Sequence, residues 1–403
     1  MKMNTQFKLV AILVLFSFMA LGQNERFALY TFDDCATTNQ GNFGTEAIFL
    51  SNVSCDCGVI ENGIRLDGNQ ARIQLPDTIR ELFRGNFTVS FYVSVENTMD
   101  LIDLFSYRTS CNKDSSFSVN YTPQTNILRV EFAEDFNNIL ELRGSLDKKA
   151  CWNHIAITRF NLEYALYVNG VLMQRLETRR QTPFGRNAKL FISNSPCLAF
   201  TETRLRGRID EFEVIDRALG PLELRGEFLH PERILNNDTT IFIGESVHLR
   251  LGPTCSDIVQ WSPHDGLSNP NIPDPIASPV QTTLYKVNID NGSCTSRDSV
   301  RIFTISRDDL QCDDLMLPRA FTPNNDGLND VFYISNRFLV DDLVSFEILD
   351  RTGERLFITN SVHEGWDGSF KGKAVNPGVY FYKIVYTCGS REYIKVNNFT
   401  VLR

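Results

Sequence analysis

Along Phe87–Ser94 apolar and polar side chains alternate without a break, with Phe87, Val89, Phe91 and Val93 set against Thr88, Ser90, Tyr92 and Ser94. A period of two places the first four on one face of a β-strand. The same alternation recurs in short runs from Arg26 to about Arg233, interrupted by Gly, Asn, Asp or Pro at roughly 8 to 12-residue intervals. Ile155 and Ile157, then Leu166, Tyr167 and Val168, surround a hairpin, and the chain turns again at Asn169-Gly170, where both residues accept positive φ. No helix-length amphipathic segment intervenes. The pattern predicts an all-β sandwich and disfavours an α/β enzyme fold.

The segment His230–Thr240, HPERILNNDTT, breaks the alternation and reads as a linker. Beyond it, Ile241–Ile305 holds short strands such as SVHLRL and LYKVNI around Trp261. After TPNNDGLND the chain alternates once more: SFEILD leads through the turn RTGE into RLFITN, and Pro377-Gly378 starts a run of alternating aromatics. This last stretch predicts another sandwich, closed by the strand NNFTVLR.

The N-terminus is of a different kind. Lys2 and Lys8 flank a polar segment, Leu9–Leu21 is apolar, and small residues end the run, so residues 1–22 read as a signal peptide cleaved before Gln23. The run is shorter than the roughly 18 to 20 apolar residues of a spanning helix, and no integral membrane segment is expected in the mature chain. The remaining length, about 380 residues, suggests two or three domains. A formal charge of −9 opposes a nucleic-acid partner, because phosphate binding rests on concentrated Lys and Arg. All ten Cys follow the leader, and with five His and no zinc-like spacing they read as disulfides of an oxidising compartment.

The runs ALYTFDD, GIRLDG, FTVSFYV, WNHIAITRFNLEYALYVNGVL and RGRIDEFEVIDRALGPLEL, in that order, resemble a laminin-G or concanavalin-like jelly roll spanning residues 23–233. The resemblance implies binding of glycan or protein, often with calcium, and in a minority of relatives glycoside hydrolysis. Residues 234–306 resemble the small immunoglobulin-like modules that precede sorting domains in exported bacterial proteins, a spacer across which Cys255 and Cys294 could pair. Residues 307–403, with AFTPNNDGLND, ILDRTGERLF, GWDG, KGK and NPGVYFY, resemble the gliding-motility-associated C-terminal domain, the type B sorting signal of type IX secretion. That implies the outer-membrane translocon as a partner and the cell surface or the medium as the destination. The sorting motif falls on Pro323, Asn324, Asp326, Gly327, Asn329, Asp330, Gly365, Trp366, Asp367, Gly368, Pro377 and Gly378. The expected architecture is therefore all-β and multidomain, a jelly-roll sandwich followed by two small immunoglobulin-like sandwiches.

Three clusters carry candidate chemistry. Arg204, Arg206 and Arg208 alternate along one stretch, with Arg175, Arg179, Arg180 and Arg186 upstream, and one strand face would present the first three to sulfate or carboxylate groups of a ligand. Gly207 could interrupt that face with a bulge. Asp33, Asp34 and Asp210 are candidate calcium ligands, hard oxygens from the first and last strands, with turn capping as the alternative. Glu211 and Glu213 share one side of a strand, and a bulge could return Asp216 to it, resembling the paired acids of jelly-roll glycosidases in the order E-x-E-x-x-D instead of E-x-D-x-x-E. His154 reads as structural, since no Ser or Cys beside it suggests a nucleophile. Taken together the residues point to a secreted or surface protein that binds glycan or protein, for example in adhesion, and is not an enzyme. A secreted glycoside hydrolase of the same fold and a purely structural surface protein are the alternatives.

Overall fold

The computed structural model describes residues 25–402 apart from 52, 97, 98, 100, 110–113, 186, 194–201, 293, 308–310, 325–328 and 390. The expected leader, Arg186, Asn325, Asp326, Gly327, Cys111 and Cys197 lie outside the described residues. The chain divides into two units. The first runs to Thr239 and takes in Val247–Ala277 and Leu284–Arg301. The second comprises Thr240–Ser246, Ser278–Thr283 and Ile302–Arg403.

The first unit opens with β1 (Phe27–Tyr30), β2 (Ile48–Leu50), β3 (Val53–Cys57), β4 (Asn62–Asp67), β5 (Arg72–Leu75), β6 (Phe87–Val95), β7 (Leu101–Arg108) and β8 (Ser116–Thr122). There follow β9 (Ile127–Ala133), β10 (Ile139–Gly144), β11 (Asn153–Phe160), β12 (Glu163–Val168), β13 (Val171–Glu177), β14 (Lys189–Ile192), β15 (Glu202–Arg204) and β16 (Arg206–Ile215). One sheet runs β13-β12-β11-β6-β16-β4-β3 with β1 on β16, and the other runs β10-β9-β8-β7-β14-β5-β2 with β15 on β7. Phe87, Val89, Phe91 and Val93 are fully buried between the sheets, as their alternation predicts. Phe212 joins the layers, with its ring centroid 5.8 Å from Phe91 and 5.7 Å from Phe105.

The outward partners Thr88, Ser90, Tyr92 and Ser94 are also buried. The helix α1 (Pro221–Glu227) explains part of this, because Leu224 packs with Leu219 on Ala156, Ala165, Tyr167 and Ile215 of the outer face. Pro221 sits where a first helical turn has no N–H to satisfy, and Glu223 Oε2 accepts the Gly220 N–H at 2.7 Å. The covered polar groups find partners: Thr88 Oγ1 donates to Arg217 O at 2.8 Å, and Tyr92 Oη accepts the Leu229 N–H at 2.9 Å.

The segment expected to be a linker has buried residues near its start. Pro231 and Glu232 are buried, and Glu232 accepts from Asn291 Nδ2 at 2.8 Å and Ser296 Oγ at 2.5 Å. The next strands are β17 (Thr239–Phe242), β18 (Val247–His248), β19 (Ile258–Ser262), β20 (Ile276–Ala277), β21 (Thr283–Asp290) and β22 (Thr295–Ile305). Antiparallel pairing of β19 with β21 buries Trp261 against Val287 and its neighbours. Cys255 and Cys294 do not bond to each other. Cys255 is joined to Cys57 and Cys294 to Cys151, at Cα separations of 5.5 and 5.8 Å, so this stretch is fastened to the sandwich twice. Cys35–Cys55 completes the bridges described in this unit.

The second unit holds β23 (Ala320–Phe321), β24 (Asp342–Leu349), β25 (Arg355–Thr359), β26 (Ser369–Phe370), β27 (Lys373–Ala374), β28 (Gly378–Cys388) and β29 (Arg391–Val401). A five-stranded sheet runs β23-β29-β28-β24-β25. Its buried face carries Phe346, Ile348, Tyr382, Ile384 and Phe399, and Phe332 stacks on Phe399 at 3.8 Å. Cys312 is bonded to Cys388. No described helix is long and apolar enough to cross a membrane.

Candidate functional site

Strand β16 bears most of the residues singled out from sequence, and a bulge distributes them. Its register on β6 moves from Asp210 opposite Tyr92 to Glu213 opposite Ser90, with Glu211 at φ 48° taking up the extra residue. The bulge therefore precedes Glu213 and does not bring Asp216 back. Asp216 lies beyond the strand, where its Oδ2 accepts from Arg26 Nε at 2.8 Å. Glu211 and Glu213 are half-buried on the α1-covered side of the sheet. Burial, reinforced by the Asp33 charge, pushes Glu211 up to about 8. Burial and then the charges of Glu227 and Glu211 push Glu213 up to about 8. Such carboxyls are protonated near neutrality and could donate a proton, while Asp216 is held by its arginine.

Asp210 is fully buried and accepts from the Val59 N–H at 2.6 Å and the Glu211 N–H at 2.9 Å. A Cβ on Gly58 would come within 2.6 Å of its Oδ2, so the glycine is what lets the β3–β4 turn close over it. Burial raises its carboxyl well above the usual range. Asp34 caps a turn, accepting from the Ala36 N–H at 3.0 Å and Thr38 Oγ1 at 3.2 Å. The oxygens of Asp34 and Asp210 thus accept from nearby backbone and side-chain donors. Among the described residues no group of three or more His, Cys, Asp or Glu is placed to hold a metal. His154, buried against Tyr92 at 4.6 Å, is pushed down to about 4 by burial.

The three arginines do not share a face. Arg208 is fully buried, its guanidinium 5.0 Å from the Trp152 ring, donating to Cys57 O, Ser94 Oγ and Asn291 Oδ1 at 3.1, 3.1 and 3.2 Å. Gly207, at φ 154°, lies where a Cβ would meet Ser94 O at 2.1 Å, and this close approach seats the arginine inside. Arg206 is exposed, with Nε 3.6 Å from Glu96 Oε2. Arg204 belongs to the other sheet, where β15 sets it opposite Asp103 of β7. Upstream, Arg175 pairs with Glu163 and Arg180 with Glu134.

Arg204 faces a hollow of about 430 Å³ that it lines with Ser51, Asp67, Asn69 and Gln70. Asp67 accepts the Asn69 N–H at 2.8 Å and Asn69 Nδ2 at 3.2 Å, and that backbone bond holds its carboxyl below the usual range. Gly68, at φ 79°, shapes the turn beside Arg206. A larger hollow of about 590 Å³ runs past Thr38, Asn39 and Glu46. There the Asn39 amide bonds the N–H groups of Leu29 and Gly41 and Phe43 O, and the lining carries no cation, so the Arg204 hollow, which has one, is the better candidate for an acidic or hydroxylated ligand. Its loop, LDGNQ, is visible in sequence only as a turn.

In the second unit the sorting residues fold into a packed corner. Asn324 N–H donates to Asp330 Oδ1 at 2.9 Å, and Thr322 N–H to Asn329 O at 2.9 Å. Trp366 is buried and exchanges backbone hydrogen bonds with Phe332 at 2.8 and 2.9 Å. Gly368, at φ 75°, is pressed against Pro323, where a Cβ would lie 2.7 Å from Cγ. Gly365 is similarly confined by Val331, and Asp367 accepts from the Ser369 N–H at 2.9 Å. Pro377-Gly378 leads into β28.

Residues 67–225 match the family model of the concanavalin A-like lectin/glucanases superfamily, and residues 315–399 match that of the CHU_C type IX secretion signal domain. No curated protein matches the chain. Among solved structures it is similar to domain 4 of AbnA, a GH43 extracellular arabinanase from Geobacillus stearothermophilus in complex with arabinotriose, at 20% identity, 51% coverage of this chain and 98% of that one, TM-score 0.41. It is similar to botulinum neurotoxin type C, described as dependent on two ganglioside molecules to enter cells, at 10% identity, 93% coverage of each chain and TM-score 0.45. The CBM40 of Ruminococcus gnavus IT-sialidase is similar at 16% identity, 46% and 97% coverage and TM-score 0.34. The chain thus carries a concanavalin A-like lectin/glucanase-superfamily domain and a type IX secretion signal domain that marks it for the cell surface or for secretion.

Proposed function

We propose that the protein is an exported carbohydrate-binding protein, without hydrolase activity, in which the hollow beside Arg204 receives the ligand. The observation that carries this reading is the convergence of Arg204, Asp67, Asn69, Gln70 and Ser51 on one open depression of a lectin-superfamily domain. A guanidinium and a set of amide and carboxylate groups suit the hydroxyls and acid groups of a sugar. Adhesion follows if the protein stays on the surface after the type IX translocon has read its C-terminal domain. A second reading, glycoside hydrolysis, is favoured by the raised carboxyls of Glu211 and Glu213. Against it, the outer face that bears them is packed over by α1, and Asp216 is bound to Arg26. A glycan array probed with the secreted chain and with Arg204→Ala tests the proposal. Retention of sugars by the parent and loss with the variant support it, and equal retention by both places the site elsewhere.

A further inference from the structure

In an antiparallel sheet packed on one side only, apolar and polar residues alternate and the polar ones meet water. Strands β28 and β29 of the secretion-signal domain depart from that rule. Tyr382, Ile384 and Tyr386 of β28 and Phe399 and Val401 of β29 fill the core, so Val379, Phe381 and Val385, with Ile394 and Val396, point out of the opposite face. Strand pairing makes them one surface. Val385 stands opposite Ile394, Val396 stands opposite Lys383, and Ile358 of β25 joins them across Glu347 of β24. Strand propensity alone is met as well by threonine, which occupies the outward position Thr400 opposite Val379. In the first unit Leu219 and Leu224 close the outer face of a sheet, whereas here Val379, Phe381, Ile394, Val396 and Ile358 are 38% to 62% exposed.

Three features identify what covers this face. The domain matches a type IX secretion signal over residues 315–399, a stretch that includes every residue of the patch, and such a signal acts by being read by another protein. The patch is also small, about 20 Å along β28 and about 14 Å across four strands at roughly 3.3 Å per residue and 4.8 Å per strand. It falls well short of the roughly 800 Å² per partner of a stable interface, too little for a permanent dimer and suited to a contact made in passage. Finally, its charges cancel: Lys383 and Arg355 are set against Glu347 and Glu392, with Arg355 3.2 Å from Glu347. An anionic membrane surface selects a basic surplus, which this face lacks, and an apolar protein surface needs none.

We propose that the outer face of β28 and β29 is the docking surface by which a component of the type IX translocon, presenting an apolar patch of its own, holds this domain during export. The inference rests on the secretion-signal reading of the domain and is independent of what the first unit binds. It predicts that export depends on exposed residues whose loss leaves the domain folded.

The test uses the full chain in a host with type IX secretion, with surface protease digestion of fractionated cells as the readout. Ile394→Thr combined with Val396→Thr keeps strand propensity and removes apolar surface, so the purified double variant should melt with the parent. Phe136→Thr, at an exposed apolar position of the first unit, is the control. The double variant should reach the surface at least tenfold less than the parent and collect in the periplasm, while Phe136→Thr is displayed normally. A photo-crosslinking side chain in place of Asn398, at the rim of the patch opposite Phe381, should capture a protein whose adduct disappears in a strain lacking the translocon. Equal export of the double variant and the parent, in a host that traps the parent once the translocon is removed, overturns the docking surface and leaves the signal intact. Unchanged export of the parent without the translocon overturns both. Adducts only with a second copy of this chain or with lipid, or no adduct at all, overturn the translocon as the occupant. If the double variant melts below the parent, Ile358→Thr combined with Val379→Thr decides by the same comparison.

Discussion

Arg208 donates from Nη2 to Asn291 Oδ1 at 3.2 Å, joining the last long strand of the sandwich to a residue 83 positions further along the chain. Together with its contacts to Cys57 O, Ser94 Oγ and the Trp152 ring, this makes the arginine a tie and not a ligand contact. Arg208→Ala leaves buried acceptors unsatisfied and a void beside Trp152, and should cost about 3 kcal/mol. Arg206→Ala, at an exposed position, should stay within about 0.5 kcal/mol. Urea unfolding of the two variants gives the comparison.

The bridges Cys57–Cys255 and Cys151–Cys294 close loops of 198 and 143 residues. In the chain-entropy picture each alone restricts the unfolded state by about 5 kcal/mol, before any strain is deducted. Proteolytic nicking between residues 236 and 246 should therefore leave fragments that travel together without reductant and separate after reduction. Fragments that separate without reductant would refute this pairing.

Glu213 carries a pH signature. Its folded pKa of about 8, set by burial and by the charges of Glu227, Glu211 and Glu25 against Arg217, lies above the unfolded value near 4.5. The folded state therefore holds the proton more tightly. Its contribution to stability is complete below about pH 4.5 and is lost as pH rises toward 8. Glu213→Gln should add about 1–3 kcal/mol at pH 8 and little at pH 5, after allowance for partial solvent access. Melting curves at the two pH values show whether the gain is confined to the alkaline side.

What the sequence revealed, and what it concealed, follows the range of the interactions. The alternation at Phe87–Ser94 specified a strand and its core face because strand geometry is local. The same pattern could not say that Tyr92 would be buried, since its partner, the Leu229 N–H, stands 137 residues away. Cys255 and Cys294 looked like partners because they flank one module, yet each bonds to the sandwich. Arg204 and Arg208 looked like neighbours on a face because nothing in four residues of sequence shows that the chain changes sheets between them. The apolar face that joins Val385 to Ile394 had no local signal as a face. It exists only in the pairing of strands.

The C-terminal domain depends on its last strand. Phe399 and Val401 of β29 are buried, and Phe399 stacks on Phe332. Deleting residues 397–403 removes these side chains and bares the edge of β28, so the domain should unfold or present an altered surface. In a host with type IX secretion, the truncated protein should stay in the periplasm, whereas residues 317–403 fused behind a leader-bearing fluorescent protein should carry it out. Surface protease digestion of fractionated cells separates the outcomes. Unchanged display of the truncated chain would contradict the assignment of the signal.

The central claim is that the exported chain binds a polysaccharide without cutting it, and incubation of the secreted protein with alginate, galactan and β-glucan tests both halves at once. Retention of the protein on at least one polymer, with no new reducing ends over prolonged incubation, is the predicted result. Release of reducing ends by the parent that Glu211→Gln or Glu213→Gln abolishes would contradict the account and make the protein a hydrolase.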